Sequence, residues 1–516
     1  LNIDMKILSI PLLVHDSSIS IFDDNELTNY IMEERLSRKK HDYFFKESLN
    51  NINVTKFDKI IVVKHSFHGY YHPLDDVLKI LNNFEGNVYI EEELHHIYHA
   101  YCGFYNSNFS EALCFSLDGV GANLENRGIE LESVYHFCKG KVEKELYKRT
   151  RKFQYFQDAN SFDEHYSNIP YDDLTVGEKF GVRSSKMDMN MLDGPGKIMG
   201  LAQYKNYKEK LQYPYNTKKW KQRVDDAHIL QQETQTHVLE LIKKYTQDTG
   251  IKNVVISGGY GLNCVANYHY LKHLKNINLF IDPVCFDAGI SIGAAYYHSE
   301  NKDNIKPLSN VYIGHQEKNY DLSNLRTKKV SYNDIVDILL QKNVVALFQG
   351  KSEAGQRALG NRSLLFDPRI INGKDIVNQI KKRENFRPFA GTILQEEAHK
   401  WFNMLSLKES PYMQYAIDAC ENAIEQVPAI IHADNTCRIQ TVTYEQNKYF
   451  YNLISCFYDR TKVPMLMNTS FNLGGEPLVE TFDHAIHTLK NSMIEYLYLP
   501  EIETLVTVKN KKLSYQ

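Results

Sequence analysis

An α/β fold in two domains is what this sequence predicts, on three grounds. The chain has 516 residues, beyond the roughly 250–300 at which a single core stops growing. Short apolar runs of strand type alternate with helical patterns along most of it, which is how α/β layers are built. Several of those runs end directly in glycine turns, as residues 112–117 end in Asp118-Gly119-Val120-Gly121; glycine there lets a ligand approach the backbone.

Taken in order, residues 5–13 read as a buried strand carrying Ile7, Ile10 and Leu12. Residues 17–22 read as a second strand, Asp23-Asp24-Asn25 as a turn, and 27–32 as a third strand pairing back. Residues 60–63 and 88–90 are further strands, with a helix over 74–81 between them. Residues 91–104 read as a histidine-bearing helix. The polar, aromatic stretch 148–193 shows no clear strand and is read as an inserted region of helix and loop. A helix over 231–245 leads to a strand over 253–257 that runs into Gly258-Gly259. The stretch 304–325, with Pro, Asn, Ser and Asp and no long apolar pattern, marks the boundary. The domains are therefore set at 1–315 and 316–516, the second opening with a helix over 332–341 and a strand over 344–348. No internal repeat stands out.

Bulk composition narrows the classes. Hydrophobic residues at 43% and charged residues at 24% describe a globular protein, not a fibre or a disordered chain. A formal net charge of −4 gives no general support for a phosphate-backbone partner, although a local basic cleft stays compatible with it. The 8 cysteines form no CxxC pair and read as free thiols in a reducing compartment. The sequence opens at Leu1, with Met5 a candidate start. With no secretory pattern and no apolar run of about 18 residues, a cytoplasmic protein without a membrane span is expected. A homodimer is expected on general grounds.

Six constellations carry chemical content. His95 and His99 stand at i and i+4, on one helix face, a spacing that lets two imidazoles share a metal. Asp118 is placed to join them. Imidazole with carboxylate suits Fe, Zn or Mn better than Mg or Ca; the alternative is two helix-surface histidines and a turn aspartate. The turn Ser257-Gly258-Gly259-Tyr260-Gly261-Leu262-Asn263 follows a strand and opens a helix, as nucleotide-binding turns do, and as structural hinges also do. Asp287, in Phe286-Asp287-Ala288-Gly289, is a fourth candidate ligand or a helix cap. Lys197, in Gly194-Pro195-Gly196-Lys197, can reach a phosphate, although the spacing is not that of a Walker A loop. Arg357, Arg362, Arg369, Lys381, Lys382, Arg383, Arg387 and Arg438, with Asn468, Ser470 and Asn472, form the densest set. Arginines interleaved with Leu359, Leu364 and Phe366 are in part buried, and such charge asks for an anion. Finally, His15-Asp16 lies at a strand end, with Glu33, Glu34, Arg35, Arg38, Lys40 and His41 further on. A histidine there is a candidate general base or a satisfied structural residue.

Together these segments resemble the O-carbamoyltransferases of antibiotic and nodulation-factor biosynthesis. The matching stretches are HDSSISIF, EERLSRKKHD, HHIYHA, SLDGVG, GKIMGLA, SGGYGLNCVAN, FDAGISIGAA, GQRALGNRSLLFDPR, KKRENFRPFA, DNTCRIQTV and NTSFNLGGEPLVET, in the family's order. The resemblance implies an N-terminal actin-like (ASKHA) ATPase fold and a C-terminal YrdC-like domain. It implies that the YrdC-like domain makes carbamoyl adenylate from carbamoyl phosphate and ATP, and that the actin-like domain passes the carbamoyl group to an acceptor hydroxyl. By motif match, His95, His99, Asp118 and Asp287 would hold a divalent metal, Fe2+ being typical, with Mg2+ accompanying ATP. His15 would be the base, and Lys40 would steady the carbamoyl oxygen. Lys197, Gly258, Gly259 and Asn263 would line the nucleotide. Arg357, Arg362, Lys381, Arg383, Arg387, Arg438, Asn468, Ser470 and Asn472 would bind carbamoyl phosphate and ATP. The chain departs from the family pattern at Pro195, at Cys285-Phe286 and at Ala354 and Gln356, none of them a proposed ligand.

The acceptor class stays open between a sugar or antibiotic and a hydroxymethylated pyrimidine, as nucleotide or within DNA. A threonylcarbamoyl-type tRNA-modification enzyme and a non-catalytic nucleotide-binding regulator are the further alternatives.

Overall fold

Strand β1 (Ile7–Leu12) is buried along its whole length, as an apolar run broken only by Ser9 requires of a strand covered on both faces. It takes β2 (Ser18–Asp23) antiparallel on one side and β4 (Lys59–Lys64) parallel on the other. Strand β3 (Glu26–Met32) completes the meander and β5 (Asn87–Glu91) adds parallel to β4. The hairpin between β2 and β3 turns on Asp24 and Asn25, both left-handed at φ 47° and 61°, the backbone that short hairpins demand. The sheet order is β3-β2-β1-β4-β5. A computed structural model describes residues 5–13, 15–50, 52–64, 74–124, 127–152, 169–206 and 217–508; residues 153–168 of the expected insert lie outside it.

A second sheet comprises β6 (Glu111–Leu117), β7 (Asn123–Leu124), β8 (Gly128–Cys138), β9 (Lys141–Arg151), β10 (Asn253–Ser257) and β11 (Asn278–Ile281). Here β8 runs antiparallel to both β6 and β9, while β10 is parallel to β6 and β11 parallel to β10. The order β9-β8-β6-β10-β11 therefore repeats that of the first sheet, step for step. This doubling is what the expected actin-like fold calls for, and it exists in the fold although no repeat is visible in the sequence. The helices that matter to the site are α1 (His95–Asn106), α2 (Val176–Lys186), α3 (Gly194–Ala202), α4 (Lys218–Thr249), α5 (Cys264–His273) and α6 (Ile290–His298). Helices α1 and α6 lie so close that a side chain at Gly293 would run into the Tyr98 backbone. A Cβ at Gly103 would come within 2.7 Å of Val255 on β10. Glycine at these two contacts fixes α1, and with it His95 and His99, against the sheet.

The second unit has β12 (Tyr312–Gln316), β13 (Arg326–Lys329), β14 (Val345–Phe348), β15 (Lys351–Glu353), β16 (Arg362–Phe366), β17 (Ala390–Leu394), β18 (Ala416–Asp418), β19 (Thr436–Val442), β20 (Met465–Ser470), β21 (Tyr496–Leu499) and β22 (Thr504–Thr507). Strands β12 and β15 pair alone. The others form one mixed sheet in the order β13-β22-β21-β14-β16-β20-β17-β19-β18. The α/β class expected from the sequence holds for both units. The division falls between Val311 and Tyr312, and residues 200–224 group with the second unit, whereas the sequence set it at 315/316 and left 200–224 in the first. The reason is aromatic packing: the Trp220 and Phe386 rings lie 5.4 Å apart, and the Tyr204 hydroxyl donates to the Phe386 carbonyl at 3.1 Å. Among the described residues, no helix is long and apolar enough to cross a membrane.

Candidate functional site

In the first unit, the C-terminal ends of four strands converge. His15 and Asp16 follow β1, Asp118 follows β6, Gly258 follows β10, and Asp287 follows β11. The carboxyl ends of sheet strands are where α/β folds bind ligands.

His95, His99, Asp118 and Asp287 are all buried and each presents one ligand atom, all within 4.8 Å of one another. His95 Nε2 lies 3.1 Å from Asp118 Oδ2 and 3.8 Å from Asp287 Oδ1; His99 Nε2 lies 3.5 and 3.6 Å from the same two oxygens. The other oxygen of Asp118 accepts from the Gly259 amide at 2.8 Å, which aims Oδ2 inward. His99 Nε2 is buried and makes no hydrogen bond. Burial opposes a charge on His99, but the two carboxylates outweigh it and raise its pKa to about 10. A metal at about 2.0–2.2 Å from each N or O ligand sets those ligands a little over 3 Å apart. The four imidazole–carboxylate distances, 3.1 to 3.8 Å, are near that spacing, and the N2O2 donor set is one that transition metals take. The residues fit a metal ion.

His15 borders this group, with Nε2 3.7 Å from Asp287 Oδ2. Its Nδ1 lies 3.0 Å from Asp16 Oδ2. Burial disfavours its charge, while Asp287 and Asp16 favour it and raise its pKa to about 9. A cation held by Asp287 would offset that carboxylate and so favour neutral His15. Lys40 does not point at His15: it pairs with Asp193, just ahead of α3. Lys197 is on α3, one helical turn past Asp193. Gly258, at φ 87°, packs so tightly on the end of β6 that a side chain would strike Leu117. Asn263 caps α5, accepting from the Ala266 amide at 3.1 Å, and exchanges hydrogen bonds with Gln231. Its side chain is thus committed to structure.

The residues expected to bind anions in the second unit divide into two sets. Arg383, Arg387 and Arg438 are brought together: burial first, then the charges of Arg387 and Arg438, push the Arg383 guanidinium well below its usual pKa. An arginine does not relieve such crowding by losing its proton; an anion relieves it. Arg383 also stacks on Phe389, 4.2 Å from the ring centre. Nearby in sequence, Lys381 donates to the Ser470 carbonyl and to Asn472 Oδ1, the latter at 2.9 Å, so Lys381, Ser470 and Asn472 form one group. Arg357 sits in the loop after β15, which Glu353 organises by accepting from the amides of Leu359, Asn361 and Arg362.

Arg362 is elsewhere. It is fully buried and donates to five backbone carbonyls, those of His315, Gln349, Gly350, Asn361 and Glu480. Its guanidinium also lies 3.8 Å over the Phe348 ring. Every donor direction is spent, so Arg362 holds the fold and is not presented to an anion. Asn468 is buried as well, its amide donating to Ala358, Thr392 and Gln440. The partner that sequence reasoning missed is Asp193, known before only as the edge of an insert; nothing local in the sequence links it to Lys40 and His41, about 150 positions away.

Comparison with known proteins gives the family of the chain. The profile described as "Carbamoyltransferase N-terminus" matches residues 70–296 and that described as "Carbamoyltransferase C-terminus" matches residues 336–505. An uncharacterized protein of Methanocaldococcus jannaschii is 29% identical, over 94% of this chain and 97% of its own. Nodulation protein NolO of Bradyrhizobium diazoefficiens is 29% identical, over 78% of this chain and 77% of its own. The 3'-hydroxymethylcephem-O-carbamoyltransferase of Amycolatopsis lactamdurans is 33% identical, over 43% of each chain.

Proposed function

The chain belongs to the carbamoyltransferase family, and from that premise we propose that it activates carbamoyl phosphate with ATP in its second unit and transfers the carbamoyl group to an acceptor hydroxyl in its first. The observation that carries the transfer half is the convergence of His15 with the four-residue group through Asp287. The activation half is supported by the crowding of Arg383, Arg387 and Arg438.

In the activation step, water first cleaves carbamoyl phosphate to carbamate and phosphate; an oxygen of the carbamate then bonds to the α-phosphorus of ATP and pyrophosphate leaves. Negative charge builds on phosphate oxygens throughout. Guanidiniums fixed in advance stabilise it without reorganising. Lys381, steadied by Ser470 and Asn472, supplies a further positive charge.

In the transfer step, the acceptor oxygen bonds to the carbamoyl carbon and the bond from that carbon to the AMP phosphate oxygen breaks. An alcohol is a weak nucleophile, and His15 Nε2 takes its proton. A divalent ion on His95, His99, Asp118 and Asp287, expected to be Fe2+, would supply Lewis acidity toward the nucleotide phosphate. Gly259 keeps Asp118 aimed through its amide.

The test is product formation. Protein supplied with Fe2+, Mg2+, ATP and 13C-carbamoyl phosphate is offered a hydroxymethyl cephem, an aminoglycoside, a chitooligosaccharide and a 5-hydroxymethylpyrimidine nucleotide. The expected result is a 13C-carbamate ester on one of them, with one AMP per ester. Threonine- and bicarbonate-dependent product on tRNA, with none on the panel, would contradict the reading.

A further inference from the structure

We propose that Asp16 is a positioning residue that fixes the tautomer of His15 by clamping two imidazoles with one carboxylate. The inference rests on the reading of His15 as the base toward the acceptor hydroxyl. Asp16 Oδ2 lies 3.0 Å from His15 Nδ1 and Oδ1 lies 2.9 Å from His41 Nδ1. The side chain is 8% exposed. An ionised carboxylate only accepts, and burial does not hold it protonated: its two imidazole partners keep the Asp16 carboxyl well below its usual range. Both Nδ1 atoms must therefore carry hydrogen. For His15 this leaves Nε2 as the basic nitrogen, on the edge that faces Asp287.

The clamp is itself held. The His41 amide donates to Glu34 at 2.9 Å, and His41 Nε2 lies 3.3 Å from Asp193 Oδ1. Asp193 also pairs with Lys40. Asp16 and His41 both adopt left-handed backbone, at φ 53° and 58°, which non-glycine residues take only where the surroundings impose it. A helix–sheet packing role needs neither conformation; a carboxylate set between two rings uses both. In the transfer step the hydroxyl proton goes to His15 Nε2, while the Nδ1 proton stays shared with Asp16, so the imidazolium forms already facing its counter-charge.

Two variants separate positioning from general structure. Asp16→Gly removes the clamp while accepting the left-handed backbone. Asp16→Asn keeps an acceptor oxygen for His15, because His41 can turn its proton to Asp193. The expected order for kcat of transfer is wild type, then Asp16→Asn within ~10-fold, then Asp16→Gly lower by ~100-fold or more. KM for the acceptor and pyrophosphate release should stay within ~3-fold in both. Asp16→Gly transferring at the wild-type rate, or Asp16→Asn as slow as Asp16→Gly, overturns the proposal. Should Asp16→Gly fail to fold, 15N spectra of the zinc-loaded wild type, assigned with His15→Asn, decide it: the Nδ1–H form of His15 is expected, and the Nε2–H form contradicts it. A wild type that forms no carbamate ester sinks the reading of His15 as base, whereas the tautomer measurement still judges the clamp.

Discussion

His99→Ala is expected to lose the bound metal and to slow carbamoyl transfer by ~10²–10³-fold, the scale seen when one preorganised electrostatic partner is removed, while pyrophosphate release continues. His99 Nε2 is buried, lacks a hydrogen bond and stands 3.5 and 3.6 Å from two carboxylate oxygens. Two buried carboxylates facing two imidazoles are costly unless something positive sits among them. Without an ion, a proton on His99 serves, which is why the carboxylates lift its pKa to about 10. Removing the ring takes away one of four donors, and alanine keeps helix α1 intact. Elemental analysis of purified wild type should give about one metal per chain, and the variant far less. A variant that keeps its metal and its transfer rate would show that the cluster is a structural ion-pair network.

The second large effect separates two arginines that look alike in the sequence. Arg362→Met should destabilise the second unit by about 3–5 kcal/mol, because five carbonyls lose their donor in a closed interior. Arg383→Met should cost less stability than Arg362→Met, since only the Asn378 and Pro388 oxygens lose a donor while the repulsion from Arg387 and Arg438 is relieved. It should instead reduce carbamoyl-phosphate-dependent pyrophosphate release by ~10²–10³-fold. Denaturant unfolding of both variants, with and without added pyrophosphate, reads the contrast. Wild type should be stabilised by the anion through mass action, and Arg383→Met should not. Equal stability for the two variants would contradict this division of roles.

The sequence made the arginines visible but not their roles. Arg362 and Arg383 both sit among apolar and small residues. What separates them is the ring of carbonyls around Arg362, drawn from residues 315, 349, 350, 361 and 480, which no local pattern reveals. The same limit hid Asn263, whose placement after a glycine turn suggests a ligand but whose helix-capping bond is a matter of backbone geometry.

Buried strands were the legible part of the fold. Residues 60–63 and 254–256 are apolar because β4 and β10 are interior strands whose side chains are buried. Strand β9 was not legible, because Lys141–Arg151 is largely charged and exposed. It belongs to the sheet through pairing with β8, not through burial, so it offers little hydrophobic signal. The i, i+4 histidines were legible because helical periodicity is local. Asp287 lies nearly 190 positions from His99, and it entered the candidate set only through a turn motif and a resemblance. The Asp16–His41 clamp was visible as residue types near one another and invisible as a geometry.

The most direct test of a two-step carbamoyltransferase omits the acceptor. Purified protein with Fe2+, Mg2+ and ATP is followed for pyrophosphate, with and without carbamoyl phosphate, and the reaction is searched by mass spectrometry for carbamoyl adenylate. Pyrophosphate and the adenylate are expected only when carbamoyl phosphate is present, in wild type and His99→Ala alike. Folded wild-type protein that releases no pyrophosphate, even when the acceptor panel is added, would contradict the two-step reaction.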